Sequence, residues 1–208
     1  MINIIFLHND HHVSAYLPSI LSYKRITMLP NSFSQYRNIS LEELSARLHK
    51  DYYQIIEILC KSITQQCEDL KSVNLSEESR IYVTLSKSHI PEVLKYIDHR
   101  WQVFGPYVTE LIEKDVAGHD CANCSGKCGL QHNAKLLDLT LSIEEIKVTA
   151  DRIRSILSQK SNIIDKEIKM LQNKISLLEN LLNEAIYIEQ TFLMPKVKNM
   201  QKTINATS

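Results

Sequence analysis

Apolar side chains recur along this chain at spacings of three and four, over stretches long enough to leave few folds open. Near the front they fall at Leu41, Leu44, Leu48, Tyr52, Ile55, Leu59, Ile63, Cys67 and Leu70. Near the other end they fall at Ile164, Ile168, Leu171, Ile175, Leu178, Leu182 and Ala185. Each stripe is one face of an amphipathic helix, and such a face must be buried against another element. Turn residues are scarce, with four glycines and five prolines in 208 residues. A β-rich fold needs many more turns than that, so the chain is expected to be all-α. Its length suits one domain with an arm.

Helix boundaries follow from local chemistry. Ser40-Leu-Glu-Glu43 is a capping box that opens helix A. Asn74-Leu-Ser-Glu77 starts helix B, expected to break near Ser86–Pro91 and restart at Pro91, where proline suits a first turn. Val93, Leu94, Ile97, Trp101 and Phe104 continue its face, and Gly105-Pro106 is expected to kink or break it before Tyr107, Val108, Leu111 and Ile112. A second capping box, Ser142-Ile-Glu-Glu145, is expected to start helix C, with Ile143, Ile146, Ala150, Ile153 and Leu157 on its apolar face. Between Leu157 and Ile164 the phase slips across Ser158-Gln-Lys-Ser161-Asn162. Either an antiparallel hairpin joins C to D, or one very long helix carries a stutter. The hairpin suits a compact domain better. Pro195 is expected to end helix D, leaving 196–208 as a frayed basic tail. Residues 1–39 read as an irregular arm. In it His8, Asp10, His11 and His12 form either a solvated turn or a set of metal ligands.

The remaining composition removes several function classes. Basic and acidic residues balance at 24 each, without the surplus of a general nucleic-acid binder. No apolar run approaches a membrane span. The start, Met1-Ile-Asn-Ile-Ile-Phe-Leu-His8, has no basic region and no small-residue cleavage site, so a cytoplasmic protein is expected.

Chemistry concentrates in one segment, His119-Asp-Cys121-Ala-Asn-Cys124-Ser-Gly-Lys-Cys128-Gly-Leu-Gln-His132. Three of the five cysteines lie there, with Gly118, Gly126 and Gly129 among them, three of the four glycines. Thiolate and imidazole suit zinc or iron, and Cys-x2-Cys is a common half-site spacing. The next interval, Cys124 to Cys128, is one residue longer, which argues against a standard zinc ribbon. His119, Cys121, Cys124, Cys128 and His132 are thus five candidate ligands for four positions, in a loop at 118–132 between helices B and C. A loop disulfide and free thiols are the competing readings, and clustered cysteines in a cytosolic chain favour metal over a disulfide. Cys60 and Cys67 stand about 10 Å apart along helix A, too far to bridge, and read as core residues.

Four amphipathic helices in one domain suggest an up-down four-helix bundle over 40–195. Within helix D, Glu189-Gln-Thr-Phe-Leu-Met-Pro195 resembles the Glu-x-x-x-Leu-Phe-Pro ending of hemerythrin-like domains, particularly the iron-centre-repair type. Leu41-Glu-Glu-Leu44 followed by Tyr52-Tyr53 is similar to that family's opening helix, where two histidines occupy the tyrosine places. The resemblance implies the bundle fold and a di-iron site. Yet Ala185 and Tyr52-Tyr53 stand where its histidines belong, helix C has Glu144 and Glu145 but no histidine, and only Glu189 keeps a ligand-type residue. Tyrosines in a bundle core need hydroxyl partners, and Glu189 is the natural one, which would make the centre hydrogen-bonded rather than metallic.

The expected function is therefore metal or oxidant sensing or handling through the Cys/His loop, with zinc or iron bound. The alternative is an interaction protein in which the loop is only structural and helix 163–192 pairs with a partner or a second copy. A dithiol enzyme using Cys121-Ala-Asn-Cys124 lacks the strand–helix setting of thioredoxin-like motifs. No nucleophile–base arrangement is visible.

Overall fold

Ser40 begins the bundle as its sequence requires, its backbone extended and its Oγ accepting the Glu43 N–H at 3.0 Å. The structure, a computed structural model, describes residues 30–117, 128–158 and 166–206. All regular structure among the described residues is helical.

The first rod consists of α1 (Leu41–Leu48), a π-turn (His49–Tyr53) and α2 (Gln54–Asp69), which abut without a break. Helix A is therefore one rod, as its sequence predicts, with a bulge inside it. The bulge changes which residues face inward. The stripe's Ile55, just past the wide turn, is only partly buried and Ile56 takes the core place, while Leu59, Ile63, Cys67 and Leu70 stay buried as the spacing predicts.

The second rod, α3 (Glu77–Ala117), is unbroken, with both Pro91 and Pro106 inside it. This corrects the expected interruption at Ser86–Pro91 and the kink at Gly105-Pro106. Both prolines sit on the exposed face, so each carbonyl left without its N–H donor is open to water. The third rod, α4 (Cys128–Ser158), corrects the boundary expected at Ser142. Ser142 is not a cap. It lies buried in mid-helix with its Oγ donating to the Leu139 carbonyl at 2.8 Å. Cys128–His132 accordingly belong to a helix, not to the loop. The fourth rod joins α5 (Lys166–Ile188), a second π-turn (Glu189–Leu193) and α6 (Met194–Ala206). Pro195 does not end it. The widened turn just ahead of Pro195, in which the Met194 N–H bonds the Glu189 carbonyl, gives the ring room. The helix then continues with Val197 and Gln201 buried, in place of the expected frayed tail.

Side-chain pairs fix the topology. Between α3 and α4 the partners run Glu110–Lys135, His99–Glu145 and Glu92–Arg152, one number falling as the other rises. These rods are antiparallel. The first rod meets α3 through Glu68–Lys87 at one end and a His49–Trp101 stack at the other. It meets the fourth rod through Ser62–Lys174 and Tyr53–Glu189. Both pairings are antiparallel, so the four rods run up, down, up, down. α4 and α5 also pack on each other, with Arg154 on Glu179 at 3.0 Å. The hairpin between C and D is therefore the arrangement found, and a single long rod is not.

The stripe on α5 is spent inside the chain, since Ile168, Leu171, Ile175, Leu178, Leu182 and Ala185 are all buried. Ile164 and residues 1–29 lie outside the described residues. A 3₁₀ segment, Pro30–Tyr36, shows that the arm reaches the bundle, with Tyr36 buried.

Truncating Leu178, which is fully buried, to alanine should cost about 2–5 kcal/mol in urea denaturation. Val148→Ala, on the exposed face of α4, should change stability by less than about 0.5 kcal/mol. Equal losses at the two positions would contradict this packing.

Candidate functional site

The largest fully buried side chain among the described residues is an arginine, Arg100, on α3. A guanidinium out of contact with water must find a counter-charge and hydrogen-bond acceptors, or the fold fails. Its partner is Glu189, itself 1% exposed. Arg100 Nε and Nη2 both donate to Glu189 Oε2, at 3.2 and 2.8 Å. The other carboxylate oxygen, Oε1, accepts the Tyr53 hydroxyl, also buried. Phe104 lies beneath the guanidinium, 4.9 Å from ring centroid to Cζ.

Three rods thus meet at one buried polar cluster. Tyr53 closes the π-turn of the first rod, and Glu189 opens the π-turn of the fourth. Each widened turn changes the direction in which its rod presents the next side chain, and both occur where the rods face Arg100. Burial, reinforced by the adjacent Glu189 carboxylate, pushes the Tyr53 hydroxyl well above its ordinary value, so it stays a donor. Burial works against the charge on Arg100, but Glu189 and Tyr53 outweigh it, and the guanidinium is held charged. Beside the cluster His49 stacks on Trp101, 3.9 Å between centroids. Burial lowers its imidazole pKa, with Glu57 opposing.

The hydroxyl partner expected for the core tyrosines is the one found, at Tyr53. Arg100 went unread. It follows Ile97 and precedes Trp101 in an apolar stripe, and an arginine at that position looks like a surface residue. The available signal was that continuing the Val93–Ile97 face by three residues lands on it.

This centre does not fit a metal ion. Both oxygens of the only matching carboxylate are engaged, and the adjacent guanidinium would repel a divalent cation. No group of three or more His, Cys, Asp or Glu able to hold a metal occurs among the described residues.

The ligands expected from sequence lie elsewhere. His119, Cys121 and Cys124 are outside the described residues. Cys128 and His132 fall in the first turns of α4, and their side chains are outside the described part. Whether the five converge thus falls outside the described residues. In sequence their segment follows α3 and runs into the start of α4. Cys60 and Cys67 are buried and free, and burial raises both thiols, Cys67 to about 11, which suits core residues rather than reactive ones.

A second buried charge lies towards the other end. Lys174 is 7% exposed and its Nζ donates to the Ser62 hydroxyl at 3.0 Å. Burial lowers its amine pKa, and Cys67 and Asp69 only partly oppose this.

No family model matches the chain, and neither a curated protein nor a solved structure is similar to it. The class these observations define is an all-helical bundle with a buried Arg–Glu–Tyr centre. Among the described residues no helix is long and apolar enough to cross a membrane.

The buried charges make two outcomes measurable. Arg100→Met alone should destabilise the protein by about 3–5 kcal/mol, because it strands the Glu189 carboxylate. The triple variant Arg100→Met, Glu189→Met, Tyr53→Phe, which strands nothing, should recover most of that loss in urea denaturation. A triple variant as unstable as the single one would show the cluster to be more than a satisfied pair.

For Lys174, an amine depressed in the native state binds fewer protons than the same amine unfolded. Stability should rise with pH from the lowered native value up to about 10.5, the ordinary amine value. Lys174→Met should abolish that rise and raise the melting temperature at neutral pH. A rise persisting in the variant would assign it to another group.

Proposed function

We propose that this chain is a cytoplasmic helical-bundle protein that binds zinc or iron through His119, Cys121, Cys124, Cys128 and His132, and that it senses or handles metal or oxidants there. The observation that carries the reading is the density of soft ligands in that segment, three thiols and two imidazoles in a chain otherwise poor in cysteine. The bundle supports it in two ways. Its centre is closed by Arg100, Glu189 and Tyr53, which removes the usual bundle-core location for a metal. Cys128 and His132 also stand four residues apart within a helix, a spacing that puts two positions on one face.

We read the up-down bundle as hemerythrin-like in fold, with a guanidinium where that family holds its metal. A thiolate site responds to oxidants because metal binding requires deprotonated sulfur. Hydrogen peroxide would take two electrons from a pair of thiolates and two protons from solvent and leave as two waters, the sulfurs would join as a disulfide, and a metal held there would lose two ligands. That change falls in the segment joining α3 to α4. The role is regulatory rather than catalytic.

The test is metal content of protein purified without a histidine tag, beside Cys121→Ser, Cys128→Ser and Glu189→Gln. About one zinc or iron per chain is expected, lost in both cysteine variants and retained in Glu189→Gln. Metal that survives both cysteine substitutions and disappears with Glu189→Gln would place it in the core and overturn the reading.

A further inference from the structure

α4 carries apolar residues on two opposite faces. Leu139, Ile143, Ile146, Ala150 and Ile153 enter the core. On the far side Leu137, Leu141 and Val148 are 58, 53 and 52% exposed, and their separations of four and seven set them one above another. Large apolar side chains aligned in this way form a patch, unlike those scattered singly over any surface. Glu144 interrupts the patch, and Asp138 and Asp151 are exposed along it.

We propose that Val13–Leu21, in the arm ahead of the described residues, covers this outer face of α4. The proposal does not depend on the metal reading. Three observations select the arm as occupant. The first is chemistry. Val13, Tyr16, Leu17, Ile20 and Leu21 stand at the same separations of three and four as the bundle stripes, and such a set needs an apolar surface to rest on. The core has none to give, since the inward faces of the four rods pack on one another.

The second is reach. The described chain begins at Pro30, and Phe33 packs on Tyr187 of α5, 4.9 Å between ring centroids. Arg100 of α3 is joined to Glu189 at 2.8 Å, and its neighbour His99 to Glu145 of α4 at 3.3 Å. Tyr187 therefore stands at the height of Glu145, between Leu141 and Val148. α4 is the rod beside α5. Packed rods lie about 8–10 Å apart, and the chain from Pro30 back to Leu21 reaches about 30 Å when extended. The arm thus leaves the bundle at the right height, one rod away, with chain to spare.

The third is charge. Before Pro30 the arm holds Lys24 and Arg25 against one acid, Asp10. Beside the patch Asp138, Glu144 and Asp151 are exposed, and the flanking bases Lys147 and Arg154 are turned onto Glu144 and Asp151 at 2.6 and 2.9 Å. That leaves the face with a carboxylate in excess, which suits the basic arm. A second copy docked through the same face would set these acids against themselves.

Zero-length carbodiimide cross-linking of the full chain, mapped by mass spectrometry, tests the contact directly. Lys24, the one lysine before Pro30, should join Asp138, Glu144 or Asp151 within a single chain. Amide hydrogen exchange tests the apolar part. In the double variant Leu137→Gln, Leu141→Gln, protection of 13–21 should fall about tenfold or more, because two leucine contacts are lost, while 168–182 should stay protected. Ile81→Gln, at an exposed apolar residue of α3, should leave 13–21 unchanged. No link from Lys24 to those three carboxylates would overturn the proposal. So would equal protection of 13–21 in the wild type and the double variant, or links found only between two chains, which would make the occupant a second copy.

Discussion

A buried guanidinium cannot be tolerated halfway. Once Arg100 is enclosed by three rods, something must meet its charge, and that requirement organises the middle of this protein. Glu189 supplies the charge with one oxygen and passes the other to Tyr53, so three rods are tied through one carboxylate. Both π-turns sit at the residues that make these contacts. The bulges and the cluster therefore explain one another. The same widened turn before Pro195 lets the fourth rod continue past a residue that ordinarily stops a helix.

This constraint bears on function by elimination of place. A bundle of four antiparallel rods offers its centre as the usual location for metal ligands on facing helices. Here that location holds a fixed positive charge and a carboxylate with no oxygen to spare. The bundle centre is thus removed as a metal site, and the soft donors of 119–132, on the reading proposed above, stand outside it.

Much of this was legible in the sequence, and the failures share a cause. The all-helical fold and the hairpin between C and D rest on spacing, which the chain keeps over many turns, the rod beginning at Ser40 rests on its capping box, and the hydroxyl partner on Glu189 followed from the resemblance of that helix end. The errors came from local punctuation. Pro91, Pro106 and Pro195 read as breaks, yet tertiary packing holds α3 and the fourth rod continuous through them, two on a solvated face and one behind a π-turn. Ser142 read as a cap because its neighbours matched a capping box, yet a buried hydroxyl can donate to a carbonyl within its own helix. Arg100 was missed since nothing local distinguishes a buried arginine from an exposed one. Its partner is far away in sequence, at the start of the π-turn of the fourth rod.

Metal, where bound, is held by sulfur at the Cys/His segment and not by oxygen in the core, on the reading proposed above. X-ray absorption at the edge of the metal found in the purified chain reads that directly. The expected spectrum has two or three sulfur ligands at about 2.3 Å with nitrogen completing the shell. A shell made only of oxygen and nitrogen at about 2.0–2.2 Å would contradict it and return the metal to the bundle centre.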